Sequence, residues 1–137
     1  MKKYALDTNT ISYLLKEDPT VSTRFMAESS TENLLVIPLM AYYEVKRGLL
    51  AVDAAKKIRH FERLCAALGV DDMRVDVLDR AAFIYDDLRR IGRLVEDADI
   101  IIAAFCIVND CILVTNNIKH FEPINGLQYE DWTGVPA

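Results

Sequence analysis

Apolar residues in this chain occur in two patterns: unbroken aliphatic runs, and stripes that repeat every three or four positions. Tyr4-Ala5-Leu6, Leu34 to Ile37 and Cys111 to Val114 are runs of the first kind, the signature of strands covered on both faces. Ile11, Leu14 and Leu15 mark a short helix after the first run. Asp18-Pro19 starts another, with Val21, Phe25 and Met26 facing inward, because proline suits a first turn. Pro38 opens a helix to about Leu50 on Ala41, Val45 and Leu49. A longer helix carries Ala54, Ile58, Phe61, Cys65 and Leu68 and stops at Gly69. A short strand is read at Met73 to Val75. Val77, Ala81, Ile84, Leu88 and Ile91 form the next stripe, closed by Gly92. Asp97 to about Val108 is apolar nearly all round after its first turn, so it is expected to be the most buried helix. Leu127 to Tyr129 reads as a last edge strand, with Trp132 packing the C-terminus.

Strands alternating with helices predict an α/β fold, a parallel sheet of four to five strands with helices on both faces. No linker, repeat or low-complexity stretch divides the chain, so residues 1–137 are read as a single domain. Hydrophobic residues make up 52% of it, which favours elements buried on both faces. The longest apolar run, Ile100 to Val108, is about half of what spans a bilayer, and no signal-peptide pattern opens the chain. A soluble, cytoplasmic protein with no membrane association is expected. Cys65, Cys106 and Cys111 sit among apolar neighbours without a CxxC pair, so buried thiols are expected. With only His60 and His120, a histidine-rich metal cluster is excluded.

The net charge of −5 argues against a protein that coats nucleic acid, but not against a nuclease whose metal ions neutralise clustered acids. Three carboxylates stand out by position. Asp7 ends the first strand, where an open α/β sheet builds its ligand crevice. Glu44 borders the inward stripe of its helix. Asp99 lies in the first turn of the buried helix, where free N–H groups and the macrodipole favour an anion. Converging acids raise one another's pKa unless a cation lies between them, and hard oxygen ligands suit Mg²⁺ or Mn²⁺. Each acid also has a plainer reading: Asp7 as a helix cap, Glu44 as a surface partner of Arg47 or Lys46, Asp99 as a dipole-stabilising acid. Residues two apart on a helix point about 200° apart, so Asp97 is assigned the N-cap and Asp99 the site. Glu96, Asp71-Asp72 and Asp86-Asp87 are read as solvated. Thr115-Asn116-Asn117 follows the Cys111 to Val114 strand and reaches the same sheet edge as Asp7, to bond a phosphate or simply to form an Asx turn.

Four segments in order then resemble a known family. They are Leu6-Asp7-Thr8-Asn9, Tyr43-Glu44-Val45 with Gly48, Ala98-Asp99-Ile100 onward to Ala104, and Val114-Thr115-Asn116-Asn117 onward to Phe121. The set resembles the PIN-domain ribonucleases, specifically the VapC-type toxins of toxin–antitoxin systems, and Gly126 to Trp132 is similar to that subgroup's ending. The resemblance implies a three-layer α/β/α fold and Mg²⁺- or Mn²⁺-dependent endonucleolytic cleavage of RNA, such as tRNA. It also implies a homodimer neutralised by a small VapB-like antitoxin. By residue, Asp7, Glu44 and Asp99 take the family's acidic positions, as metal ligands and catalytic residues. Thr8, Asn9, Thr115 and Asn117 support them. Asn117 departs from a fourth acid often found there, which weakens a second metal site. Hydrolysis by water activated at a metal predicts 5′-phosphate and 3′-hydroxyl ends.

Candidate contacts to RNA are Lys46-Arg47, Lys56-Lys57-Arg59, Arg89-Arg90-Arg93 and Lys119-His120. Two other readings compete. A catalytically silent module would use the acids only to hold a basic antitoxin segment. An aspartyl-phosphate phosphatase would need a second Asp where Asn9 stands.

Overall fold

The computed structural model describes residues 1–134, so the last three positions of the 1–137 span lie outside the described residues. The chain runs β1 (Lys3–Leu6), α1 (Thr8–Leu15), α2 (Pro19–Ser29), β2 (Leu34–Pro38), α3 (Leu39–Ala51) and α4 (Ala55–Leu68). It continues through β3 (Val70–Asp71), α5 (Val75–Arg90), α6 (Asp97–Val108), β4 (Ile112–Val114), α7 (Ile118–Phe121) and β5 (Gln128–Glu130). The five strands form one sheet in the order β3-β2-β1-β4-β5, and every pairing is parallel.

Successive strand residues point to opposite faces. Tyr4, Ala5 and Leu6 are all fully buried, so both faces of β1 are covered, as a helix-sandwiched parallel sheet requires. α6 is the most buried helix: Ile100 and Ile102 through Cys106 lie in the core, and α5 packs along it. Cys106 and Cys111 are buried thiols, and Cys65 is half-buried; all three are free. Trp132 is buried edge-on against Tyr4, 5.2 Å between ring centres. No helix among the described residues is long and apolar enough to cross a membrane.

Four expectations are corrected. The short strand lies at Val70–Asp71, paired with Ile37 and Pro38, not at Met73 to Val75. Gly69 takes φ 86° just before it, so the chain leaves α4 directly into the sheet. Met26 is 67% and Ile91 59% exposed; Met26 faces solvent on α2, and Ile91 falls past the end of α5. Glu96, not Asp97, holds the N-cap position of α6, and Asp97 is the first helical residue.

The topology decides where a site forms. From β1 the chain builds outward through β2 and β3, then crosses to the other side of β1 for β4 and β5. Chains leaving β1 and β4 therefore part at a switch point, and a crevice opens there at the carboxyl edge. Leu6 pairs with Val114 in register, so Asp7 and Thr115 are the first residues beyond the paired strands on either side of it.

Candidate active site

The three buried polar side chains among the described residues, Asp7, Thr10 and Thr115, all lie at this switch point. Asp7 stays in register as its N–H bonds the Val114 carbonyl at 3.0 Å. Its side chain then caps α1, Oδ1 accepting the Thr8 N–H at 2.8 Å. Oδ2 accepts the Thr115 hydroxyl at 2.8 Å and lies 3.4 Å from the Asn9 amide nitrogen. Asp7 thus both caps α1 and presents a carboxylate to the crevice.

Around it the small polar residues form a lattice. Asn9 Nδ2 also donates to Thr115 Oγ1, and Asn9 Oδ1 accepts the Asn116 N–H. The Asn117 N–H bonds Thr115 Oγ1 at 3.0 Å, and Asn116 Nδ2 bonds the Tyr13 hydroxyl. The lattice ties the end of β4 to α1 and holds Thr115 as a fixed donor toward Asp7.

The other two acids arrive from separate helices. Glu44 projects from α3 and accepts the Thr8 hydroxyl at 2.8 Å, while Arg47 approaches only to 4.0 Å. Asp99 sits in the first turn of α6, and its Oδ2 lies 2.9 Å from His120 Nδ1 on α7. Both side chains are mostly buried, 15% and 13% exposed. Asp7, Glu44 and Asp99 line one cleft of about 500 Å³ with Thr8, Asn9, Asn117, Lys16 and His120. Burial raises the Asp7 pKa to about 6; the Asp99 and Glu44 charges add to the rise, and the Thr115 and Thr8 bonds oppose it. Burial also raises the Asp99 pKa, against the pull of His120.

The PIN-domain description fits residues 4–125. The chain belongs to the PIN-domain family. This PIN domain is 28% identical over 137 aligned residues to Ribonuclease VapC1 of Haemophilus influenzae strain R2866, covering 95% of this chain and 98% of that one. It is 32% identical over 141 aligned residues to the tRNA(fMet)-specific endonuclease VapC of Shigella flexneri, covering 97% of this chain and all of that one. Among solved structures, VapBC-1 from nontypeable Haemophilus influenzae aligns with a TM-score of 0.85 at 28% identity over 96% of this chain and 98% of that one. DNA-bound VapBC from Salmonella typhimurium aligns with the same score and identity over 96% and 99%. The relatives place this PIN domain in the VapC group.

Every acidic position read from the sequence of this PIN domain reaches the cleft, as do Thr8, Asn9 and Asn117; Thr115 stands behind Asp7. Glu96 is exposed, in keeping with its reading as a solvated acid, and also lines the cleft, together with Ser12, Tyr13 and Lys16. Ser12, Tyr13 and Lys16 follow from α1 itself, one side of which faces the cleft. His120 is tied to the site through Asp99.

Among the described residues, no three His, Cys, Asp or Glu side chains are drawn together as a ready-made metal cage. What the cleft does offer is carboxylate and amide oxygens, the hard donors that Mg²⁺ prefers. Mg²⁺ keeps several waters and takes one or two carboxylates plus a substrate phosphate, whereas zinc is held by close-set side chains. The oxygen donors of Asp7, Glu44 and Asp99 in one cleft, with the Asp7 pKa raised by burial and by the other two acids, fit such an ion.

Proposed function

We propose that this chain is the endoribonuclease toxin of a toxin–antitoxin pair, hydrolysing phosphodiester bonds in RNA with Mg²⁺ or Mn²⁺ bound among Asp7, Asp99 and Glu44. One observation carries the reading. Three carboxylates from a strand end and two helices, distant in sequence, line a single cleft at the sheet's switch point. Burial of mutually repelling acids costs stability and is offset by a bound cation.

When bound, the ion supplies Lewis acidity toward a phosphoryl oxygen and makes water nucleophilic at neutral pH. The residues do the rest. Asp7 is held rigid by Thr115 and the Thr8 N–H, so its free lone pairs face the cleft in one orientation. Asp99 is oriented by His120. Glu44, steadied by Thr8, would help hold the ion or orient a water beside it. Asn117 offers an amide where an extra acid would strengthen a second cation position. The curated VapC relatives support RNA as substrate, with tRNA(fMet) the named target of one. The solved VapBC structures support a small VapB-like partner, and we extend this to a cytoplasmic homodimer.

Purified protein incubated with bulk tRNA is expected to cleave it with Mg²⁺ and not with EDTA. Asp7→Ala and Asp99→Ala are expected to abolish cleavage. Products should carry 5′-phosphate and 3′-hydroxyl ends. Cleavage that survives EDTA or both substitutions, or 2′,3′-cyclic phosphate ends, overturns the reading. Induced alone in cells, the protein is expected to arrest growth, and Asp7→Asn to relieve the arrest.

A further inference from the structure

Lys16, at the end of α1, is shared by two depressions. One is the carboxylate cleft. The other is a groove of about 460 Å³ lined by Lys16, Lys56, Lys57, His60 and Arg63, with Glu17 as its acid. Lys56, His60 and Arg63 are spaced four and three apart on α4, so they share a face. α4 packs beside α1, which makes the stripe continuous with the cleft.

What sets these cations apart is that they are unpaired and gathered in one groove beside the cleft. Among the described residues, no carboxylate lies within 4.0 Å of the Lys16, Lys56, Lys57 or Arg63 nitrogens. Arg89 and Arg90 are engaged by Asp86, Arg93 by Glu122, Arg47 by the Tyr43 ring and Lys46 by that of Tyr42, whereas Lys2, Arg59, Arg80 and Lys119, also without a carboxylate within 4.0 Å among the described residues, line neither the groove nor the cleft. The net charge of −5 repels a polyanion, so its grip must come from a local array with no internal partner.

We propose that the groove on Lys16, Lys56, Lys57, His60 and Arg63 is a backbone subsite, holding the RNA strand that flanks the phosphate bound at the Asp7–Asp99 cleft. The proposal rests on the ribonuclease reading and deepens it. A polynucleotide carries a charge at every residue, matching a groove of clustered cations that adjoins the cleft at Lys16. An acidic protein segment is the other polyanion such a groove would take, and the test separates the two.

Binding of fluorescein-labelled bulk tRNA is measured in the Asp7→Asn protein across a range of salt concentrations. Replacing Lys56, Lys57 and Arg63 together by Ser is expected to weaken binding at least tenfold. Each lost phosphate contact removes about 0.7–0.9 from the slope of log affinity against log salt, so the slope should become shallower by roughly 2 to 3. Arg89→Ser with Arg90→Ser, on a paired cluster, should change neither. With Asp7 intact and Mg²⁺ present, the triple variant should raise KM and leave kcat. All three side chains are exposed, and Lys57→Glu alone, checked by thermal melting, is a second variant expected to act in the same direction. Unchanged tRNA affinity and slope overturn the proposal. So does loss of polyglutamate binding with tRNA binding intact, which would assign the groove to an acidic protein. A parent protein that fails to cleave tRNA with Mg²⁺ sinks the ribonuclease reading itself; cleavage by the parent with an unaffected triple variant sinks the groove alone.

Discussion

Thr115 Oγ1 donates a 2.8 Å hydrogen bond to Asp7 Oδ2 across 108 positions of sequence. The two residues follow Val114 and Leu6, neighbours in register on β4 and β1, so the sheet itself delivers donor to acceptor. Thr115 is fully buried and also accepts from Asn117 N–H and Asn9 Nδ2. Thr115→Val keeps the shape but removes a bond to a charged group and strands two donors. It is expected to lower stability at neutral pH by about 1.5–3 kcal/mol. Thr115→Ser, which keeps the hydroxyl, should stay within about 1 kcal/mol of the parent. Urea unfolding of the two variants checks this, and equal losses would show that the hydroxyl has no special role.

The raised Asp7 pKa makes stability depend on pH in a defined direction. A carboxyl that titrates at about 6 in the folded state and near 3.8 unfolded binds more protons when folded between those values. Metal-free protein is therefore expected to lose stability as pH rises through that window and to level off above it, by roughly 3 kcal/mol for the full shift. Asp99, also raised, acts in the same sense. Asp7→Asn should remove most of the slope, and so should added Mg²⁺, by stabilising the ionised site. Urea midpoints in EDTA across this pH range measure it; a midpoint that rises with pH would contradict the cause assigned here.

The parts of the fold legible from sequence are those where one residue type repeats often enough to average out local noise. Leu34 to Ile37 and α6 are such cases, being apolar wherever the chain is covered. β3 escaped because it is two residues long, and Val70 carries no periodicity of its own; it is a strand because Ile37 and Pro38 lie alongside. α7 escaped for the same reason, one turn whose single buried residue is Phe121. In the site, Asp7 and Asp99 were legible because a carboxylate beside an apolar run needs a reason to be there. Glu96 was not: it ends a polar loop, and only the direction in which α6 enters the core turns it toward the cleft. The pairing of Arg89 and Arg90 with Asp86 is an i,i+3 and i,i+4 match within α5 and follows from spacing, whereas the gathering of Lys16 with Lys56, Lys57 and Arg63 in one groove depends on how α1 and α4 pack.

Thr8 has two jobs: its N–H caps onto Asp7 and its hydroxyl bonds Glu44. Thr8→Val retains the first and deletes the second. It should leave the melting temperature nearly unchanged while lowering Mg²⁺ affinity or activity about 10–100-fold, the usual cost of losing a partner that orients a ligand. Activity titrated against Mg²⁺ separates the two effects, and full activity at ordinary Mg²⁺ would mean that Glu44 needs no steadying.

Asn117 is where the cleft is short of a charge. It lines the same cavity as Asp7, Glu44 and Asp99, and its side chain makes no capping bond to α7. Asn117→Asp places a further carboxylate among acids that already raise the Asp7 pKa, so metal-free protein should become less stable at neutral pH. With a cation present the sign reverses. An added attraction of about 1.4 kcal/mol strengthens Mg²⁺ binding about tenfold. Thermal melting with and without Mg²⁺ reads both halves: the variant should melt below the parent in EDTA and gain more from each increment of Mg²⁺. Lower stability without tighter Mg²⁺ binding would mean that position 117 lies beyond reach of the ion.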